Sequence, residues 1–122
     1  MDMKYMFKGS NFNGDISGWN VSNVKYMECM FTESKFNQDI PGWNVENVMD
    51  MSWMFSYSHF NQDISKWKLN SITYMSCMFY SNDSFYQNLS GWDLREVKYE
   101  SIFYNCPMQN KPEFQPKFNK VQ

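Results

Sequence analysis

Three aspartates at one position of a repeated motif are the first residues whose chemistry could be functional. Asp15, Asp39 and Asp63 are spaced 24 residues apart, and Asn88 stands at the same position in a fourth copy. Stacked carboxylates repel one another unless something satisfies them. A cation such as Ca²⁺ could do so, and so could the amides of the turn that contains each aspartate. Asn88 favours the turn amides, because its side chain needs no metal.

No catalytic group emerges from the acidic residues or from the lone histidine. A carbohydrate-active enzyme would need paired carboxyl groups in a cleft, and the acidic residues that recur together belong to the turn position described above. His59 is the only histidine, and no Cys/His grouping has the spacing of a zinc site. We therefore expect a protein that is not an enzyme, with no catalytic residue, cofactor or metal site.

The three cysteines are expected to be buried, reduced thiols. Cys29 and Cys77 occupy the same repeat position two copies apart, with Trp53 between them. Copies stacked at the strand spacing of about 4.8 Å would put the two residues roughly 10 Å apart. A disulfide needs Cα atoms within about 7 Å, so this pair is excluded. Cys106 lies at a different position.

Tryptophan also recurs at one repeat position, where it could offer an aromatic platform for sugars. Trp43 is followed two residues later by Val45, and residues two apart on an extended chain share a face. Core packing is therefore the interpretation that we favour for this position: Trp19, Trp43, Trp67 and Trp92. We expect core packing also for Trp53 and for the recurring methionines, which tolerate irregular packing: Met27, Met30, Met51, Met54, Met75 and Met78.

All these positions belong to one unit of about 24 residues, and such a period indicates a repeat architecture. The copies are FNGDISGWNVSNVKYMECMFTESK, FNQDIPGWNVENVMDMSWMFSYSH, FNQDISKWKLNSITYMSCMFYSNDS and FYQNLSGWDLREVKYESIFYNC. We divide the chain into a half copy, four full copies and a C-terminal cap or tail: residues 1–11, 12–35, 36–59, 60–84, 85–106 and 107–122.

Each copy is predicted to contain a short strand and then a short helix. In the second copy Trp43 and Val45 point to one face of the strand and Asn44 to the other. Val48, Met51, Met54 and Phe55 follow at helical spacing, and the preceding Asn47 is a good N-cap residue. Parallel pairing of successive strands would give an α/β solenoid with a 24-residue period, with strands on one side and helices on the other.

The two ends of the array differ from its middle. The half copy lacks a strand, so the first predicted strand, near Trp19, has an uncovered edge. We expect edge-to-edge self-association or a larger assembly there. At the other end Pro107, Pro112 and Pro116 should stop strand pairing. Phe114 and Phe118 are expected to cover the last core layer.

Composition narrows the class of protein. The chain has 122 residues, 43% apolar and 20% charged, which is typical of a globular domain. Its net charge of −2 argues against a nucleic-acid partner. No run of about 18 apolar residues is present that could span a membrane. The start, MDMKYMFKGS, lacks the apolar core of a signal peptide.

The pattern F-N-x-D-I-S-x-W-[ND]-V-S-N-V-x-x-M-x-x-M-F covers Met3 to about Cys106. It resembles the bacterial surface-protein repeat of about 25 residues that is found in BspA-like leucine-rich repeat surface proteins and in mycoplasma or Listeria lipoproteins. The resemblance implies a leucine-rich-repeat-like solenoid whose core motif corresponds to Ile16, Trp19 and Val21. It also implies a location at a cell or particle surface and a role in adhesion or recognition, without catalytic residues.

Outward positions of the predicted strands vary from copy to copy, whereas the core positions are nearly constant. We call the following eight residues the recognition face: Asn20, Asn44, Glu46, Lys66, Lys68, Asn70, Asp93 and Arg95. Variation on a fixed scaffold suits a binding surface for a protein or a glycan, although a merely solvated face would also look so. The alternative function is a structural component of a multi-subunit surface layer or virion.

Overall fold

The structure, a computed structural model, describes residues 1–119. In this range it contains no α-helix and two strands of two residues, β1 (Asp93–Leu94) and β2 (Lys117–Phe118), which pair in parallel. Two 3₁₀ helices span Pro107–Asn110 and Pro112–Phe114. No helix in residues 1–119 has the length and apolar character that a membrane span requires. The prediction of an α/β solenoid with one strand and one helix per copy is therefore wrong.

Tight turns replace the predicted helices. We call residues 2–9, 26–33, 50–57, 74–81 and 98–105 the turn segments. Within each turn segment, a backbone amide donates a hydrogen bond to the carbonyl three residues earlier, as Met30 does to Met27 at 3.2 Å. The alternate amides donate to the next turn segment instead, as Phe31 does to the carbonyl of Met54 at 2.9 Å. Much of the backbone bonding is thus made between copies, whereas a helix would keep it within one copy.

Two residues of each turn segment have positive φ, which ends helical propagation. These pairs are Tyr5 and Gly9, Cys29 and Glu33, Trp53 and Tyr57, Cys77 and Ser81, and Ser101 and Asn105. An eight-residue helix would also pay the cost of nucleation and leave its terminal amides and carbonyls unpaired. Bonding to the neighbouring copy avoids that cost, so tertiary pairing outweighs the helical periodicity of the sequence.

The burial that the helical pattern predicts is nevertheless correct. Val24, Met27, Met30 and Phe31 are all buried, and so are their equivalents in the next two copies. Phenylalanine rings from successive turn segments stack in one column through the core. Their centroid separations are 5.4 Å for Phe7–Phe31, 5.5 Å for Phe31–Phe55, 5.8 Å for Phe55–Phe79 and 5.7 Å for Phe79–Phe103. The core positions of the methionines are confirmed.

The predicted strands are interrupted by turns as well. We call residues 12–22, 36–46, 60–70 and 85–95 the Trp segments. Trp43 and Val45 are buried and Asn44 is exposed, as alternation predicts. However, Trp43 bonds back to the carbonyl of Ile40 and Val48 bonds back to that of Val45, so the backbone bends on both sides of Asn44. Of the predicted strands, only β1 in the fourth copy forms a two-residue strand.

Residues 107–119 pack against the last Trp segment and form a cap. Met108 is fully buried, and Phe114 and Phe118 are half-buried against the core, as predicted. The amide of Leu89 donates to the carbonyl of Phe114 at 2.8 Å. Strand β2 directly follows Pro116, so the prolines do not stop pairing as the sequence suggested. Residues 120–122, the end of the predicted tail, lie outside the described residues.

All three cysteines are free, which agrees with the predicted lack of a disulfide. Cys106 is buried, and this burial raises the pKa of its thiol to about 11. Cys29 and Cys77 are only half-buried, in contrast to the prediction. Desolvation raises the pKa of both thiols, so at neutral pH none of the three is a reactive thiolate.

Candidate recognition face

A stacked pair of tryptophans lies beneath the recognition face. The indoles of Trp43 and Trp67 are 6.5 Å apart and inclined by 4°. Their Nε1 atoms donate to the carbonyls of Ile16 and Ile40, each at 3.0 Å. Trp43 is only 3% exposed, whereas Trp19, at the first copy, is 40% exposed. Core packing is therefore confirmed for the later tryptophans but not for Trp19.

The eight predicted face residues are solvent-exposed, apart from the half-buried Glu46. Lys68 stands between two clefts and lines both of them. One cleft of about 160 Å³ also includes Asn44, Glu46 and Lys66, above Trp43. The structure thus brings residues of the second and third copies together, while Asn20 does not line either cleft.

The second cleft, of about 310 Å³, lies between Trp67 and Trp92. Lys68, Asn70 and Asp93 line it. The side chain of Trp92 is buried, and its Nε1 has no acceptor among the described residues. Trp92 follows Trp67 by 25 residues, whereas the earlier intervals are 24, so the extra residue of the third copy coincides with the loss of the indole hydrogen bond. A buried unpaired donor is unfavourable.

Three of the face residues also hold turns of the backbone. The Oδ1 atoms of Asn20, Asn44 and Asp93 accept the amides two residues later, at 3.0, 3.1 and 3.1 Å. Such turns fix the side chain against its own backbone. Lys68 stands at the same position in the third copy, but an ammonium group has no acceptor for this bond. The Asn or Asp residues at this position of the face therefore have a structural role in the turn. Lys68 is the exception, because its side chain cannot accept that hydrogen bond.

Asp93 and Arg95 form a bidentate ion pair on the rim of the face. Arg95 Nε donates to Oδ1 at 2.9 Å and Nη2 to Oδ2 at 2.7 Å. These hydrogen bonds, with that from the Arg95 amide, lower the pKa of Asp93 to about 2. Both residues line a further cleft of about 250 Å³ together with Glu96. The fourth copy thus presents a fixed guanidinium–carboxylate pair, which sequence reasoning did not anticipate.

Backbone amides satisfy two of the three aspartates that recur at one repeat position. Asp15 accepts the amide of Ser17 and Asp63 that of Ser65, each at 2.9 Å. Hydrogen bonds from the side chain and then the backbone of these serines lower the pKa of both carboxyls. At Asp39 this bond is impossible, since Pro41 has no amide hydrogen. Within residues 1–119, no three His, Cys, Asp or Glu side chains are grouped so that they could hold a metal ion.

The turn segments carry an aromatic cluster on the surface that the sequence did not predict. Tyr80 lies 5.3 Å from Trp53, 5.7 Å from Tyr57 and 4.9 Å from Tyr104, measured between ring centroids. Trp53 is 37% exposed, so its predicted core packing is wrong. The available signal was that Trp53 stands at a position held by Cys29 and Cys77 in the adjacent copies.

A protein-family model matches most of the chain. The family model described as "Mycoplasma protein of unknown function, DUF285" matches residues 1–115. No curated protein and no solved structure matches the chain. Since the matched range takes in both the turn segments and the Trp segments, it covers all the residues of the recognition face. The chain belongs to the DUF285 family of mycoplasma proteins.

Proposed function

We propose that this chain is a non-catalytic recognition module that binds a protein or a glycan through the recognition face. The observation that carries the proposal is the pair of clefts that share Lys68, which open between polar side chains above buried tryptophans. The indole hydrogen bonds of Trp43 and Trp67 tie this part of the backbone to the preceding copies. Polar groups on such a fixed backbone lose less entropy on binding.

The cleft between Trp67 and Trp92 is the best candidate for the centre of the site. It offers the ammonium group of Lys68, the amide of Asn70 and the carboxylate of Asp93 around an indole floor. Few polar groups placed over an aromatic floor are typical of ligand sites.

Membership of a mycoplasma family and the resemblance to BspA-like surface-protein repeats support a location at a cell or particle surface. We therefore expect the partner to be a surface component, and adhesion to be the outcome of binding. The location is inferred from the family and the sequence pattern. The charged and polar side chains of the recognition face would make the contacts with the partner.

A binding screen with the purified chain tests the proposal. The probes are a printed array of defined glycans and a printed array of extracellular proteins. We expect a probe that binds the wild type to bind Lys68→Glu at least about tenfold more weakly, because the charge in the cleft is reversed. Lys35→Glu, an exposed charge reversal outside the Trp segments, is the matched control. Equal binding by wild type and Lys68→Glu, or binding to no probe, would contradict the proposal.

The alternative is an assembly component of a surface layer or a virion. One observation favours it, namely that backbone groups at both ends of the series of turn segments have no partner within residues 1–119.

A further inference from the structure

The unpaired backbone groups at the two ends of the turn segments are of opposite kinds. In the first turn segment, the carbonyls of Asp2, Lys4 and Met6 accept no hydrogen bond from residues 1–119. At the equivalent positions, the carbonyls of Tyr26, Glu28 and Met30 accept the amides of Met3, Tyr5 and Phe7 at 2.9, 3.1 and 2.9 Å. One end of the series therefore presents acceptors spaced two residues apart.

The last turn segment presents the matching donors. The amides of Tyr99, Ser101 and Phe103 donate to no acceptor within residues 1–119, although their equivalents in every earlier turn segment donate to the next one. Asn105 continues the series, but its amide donates to Oε1 of Gln109 at 3.1 Å. Two acceptor ends cannot pair with each other, and neither can two donor ends. An acceptor end can pair with a donor end.

We propose that a second copy of this chain docks its residues 2–9 on residues 98–105, head to tail. The register is the one that repeats inside the molecule, in which an amide meets the carbonyl 23 residues later, as Met27 meets Asp50. Continued into the second copy, it pairs the amides of Tyr99, Ser101 and Phe103 with the carbonyls of Asp2, Lys4 and Met6. This inference is independent of the recognition face.

The charges at the two ends agree with this register. Side chains at one repeat position stack on each other, as the bridges from Asp2 through Tyr26, Asp50 and Tyr74 to Lys98 show. The next residue at this position would be Asp2 of the second copy, opposite Lys98. Two positions along, Glu100 would face Lys4 of the second copy. All four of these side chains are exposed, and both juxtapositions are attractive.

The exposed apolar side chains at the two ends also agree with the proposed register. Met6 is 47% exposed, although Met30, Met54 and Met78 at the same repeat position are fully buried. In the proposed register Met6 of the second copy lies over Ile102. There a cleft of about 290 Å³ opens between the last turn segment and the cap, lined by Tyr99, Ile102 and Phe118. Burial of the methionine would add to the backbone hydrogen bonds.

Pairing of two different ends does not close on itself as a two-fold dimer does. A heterologous contact of this kind leaves one donor end and one acceptor end open, so further copies can add. The expected product is a linear chain of molecules whose mean length grows with protein concentration. A dimer that stops growing is not expected from this geometry.

Sedimentation velocity of the 122-residue chain over rising concentration tests the proposal, with Lys4→Glu and Glu100→Lys as variants. Each variant alone places like charges opposite each other, and we expect its self-association to weaken by about tenfold or more. An equimolar mixture should associate again, because every contact between the two variants then joins opposite charges. The carboxylate introduced by Lys4→Glu faces the ammonium group introduced by Glu100→Lys, and at the next contact the native Lys4 faces the native Glu100. Lys35→Glu should associate like the wild type.

Circular dichroism melting of each variant shows that it is folded, so loss of association is not mistaken for unfolding. A wild-type chain that stays monomeric at every concentration overturns the proposal. A closed dimer that does not grow also overturns it. The same holds for variants that associate as strongly as the wild type, and for a mixture that associates no better than its components. Recovery of association in the mixture alone supports the register, since neither variant contributes a new apolar surface.

Discussion

The indole Nε1 of Trp67 donates a hydrogen bond to the carbonyl of Ile40 at 3.0 Å, across 27 residues of sequence. Trp43 does the same with Ile16. In the Trp segments the side chain thus makes the connection between copies that the backbone makes in the turn segments. The rigidity of the recognition face depends on these indole hydrogen bonds, because the outward residues of the face are next to the tryptophans in sequence.

Replacement of Trp67 by Phe should destabilise the protein by about 1–3 kcal/mol, since the carbonyl of Ile40 loses the shorter of its two hydrogen bonds and the smaller ring leaves space in the core. Urea unfolding followed by circular dichroism measures the change. Trp19→Phe is the matched control: Trp19 is largely exposed, so a change of less than about 1 kcal/mol is expected. Equal losses in the two variants would show that the hydrogen bond contributes little.

Gly9→Ala should destabilise the protein by about 1 kcal/mol, because the φ of Gly9 is 67° and a Cβ atom is unfavourable there. Gly42→Ala is the control: a Cβ on Gly42 meets nothing within 4 Å, and its φ lies outside the left-handed region. A neutral effect, or a gain of up to about 1 kcal/mol, is expected. Thermal unfolding compares them, and a stabilising Gly9→Ala would contradict the turn geometry.

The carboxyl of Asp93 should titrate with a pKa of about 2, measured by carbon-detected NMR as pH falls. Because this value is below the ordinary 3.8, the ion pair stabilises the folded state above about pH 3.8, and the contribution is lost as pH falls toward 2. Arg95→Gln removes the guanidinium, and the pKa should then move back toward 3.8. An unchanged pKa in this variant would assign the effect to another group.

Glu28→Gln should stabilise the protein at pH 7. One carboxyl oxygen of Glu28 is buried without a partner in residues 1–119, and desolvation raises the pKa of this group. A raised folded-state pKa favours the folded state below the ordinary pKa, and the advantage is lost as pH rises through the folded-state value. The difference between Glu28→Gln and wild type should therefore vanish in acid.

Denaturant unfolding at pH 7 and at low pH measures this dependence. Glu33→Gln, at an exposed position of the same turn segment, is the control and should change stability little at either pH. A Glu28→Gln variant that is less stable than wild type at pH 7 would mean that the attraction between Glu28 and Lys4 outweighs the desolvation of the carboxyl.

The sequence by itself determined which side chains are inside. Met27, Met30 and Phe31 are buried at their repeat positions, and Asn44 alternates outward between Trp43 and Val45, as periodicity predicts. Exposure of the recognition face was predictable for the same reason. Burial follows from the spacing of apolar residues, and any backbone that puts every third or fourth residue inside satisfies that spacing.

Only the tertiary structure decided the backbone and the chemistry at the ends. Periodicity could not distinguish a helix from tight turns, because the choice depends on whether the amide of Phe31 bonds within its own copy or to Met54 in the next. The same long-range pairing leaves open acceptor carbonyls at residues 2–9, at the end of the array where Trp19 is also exposed. It also opens the cleft between Trp67 and Trp92, and such contacts between distant parts of the chain have no local signature in the sequence.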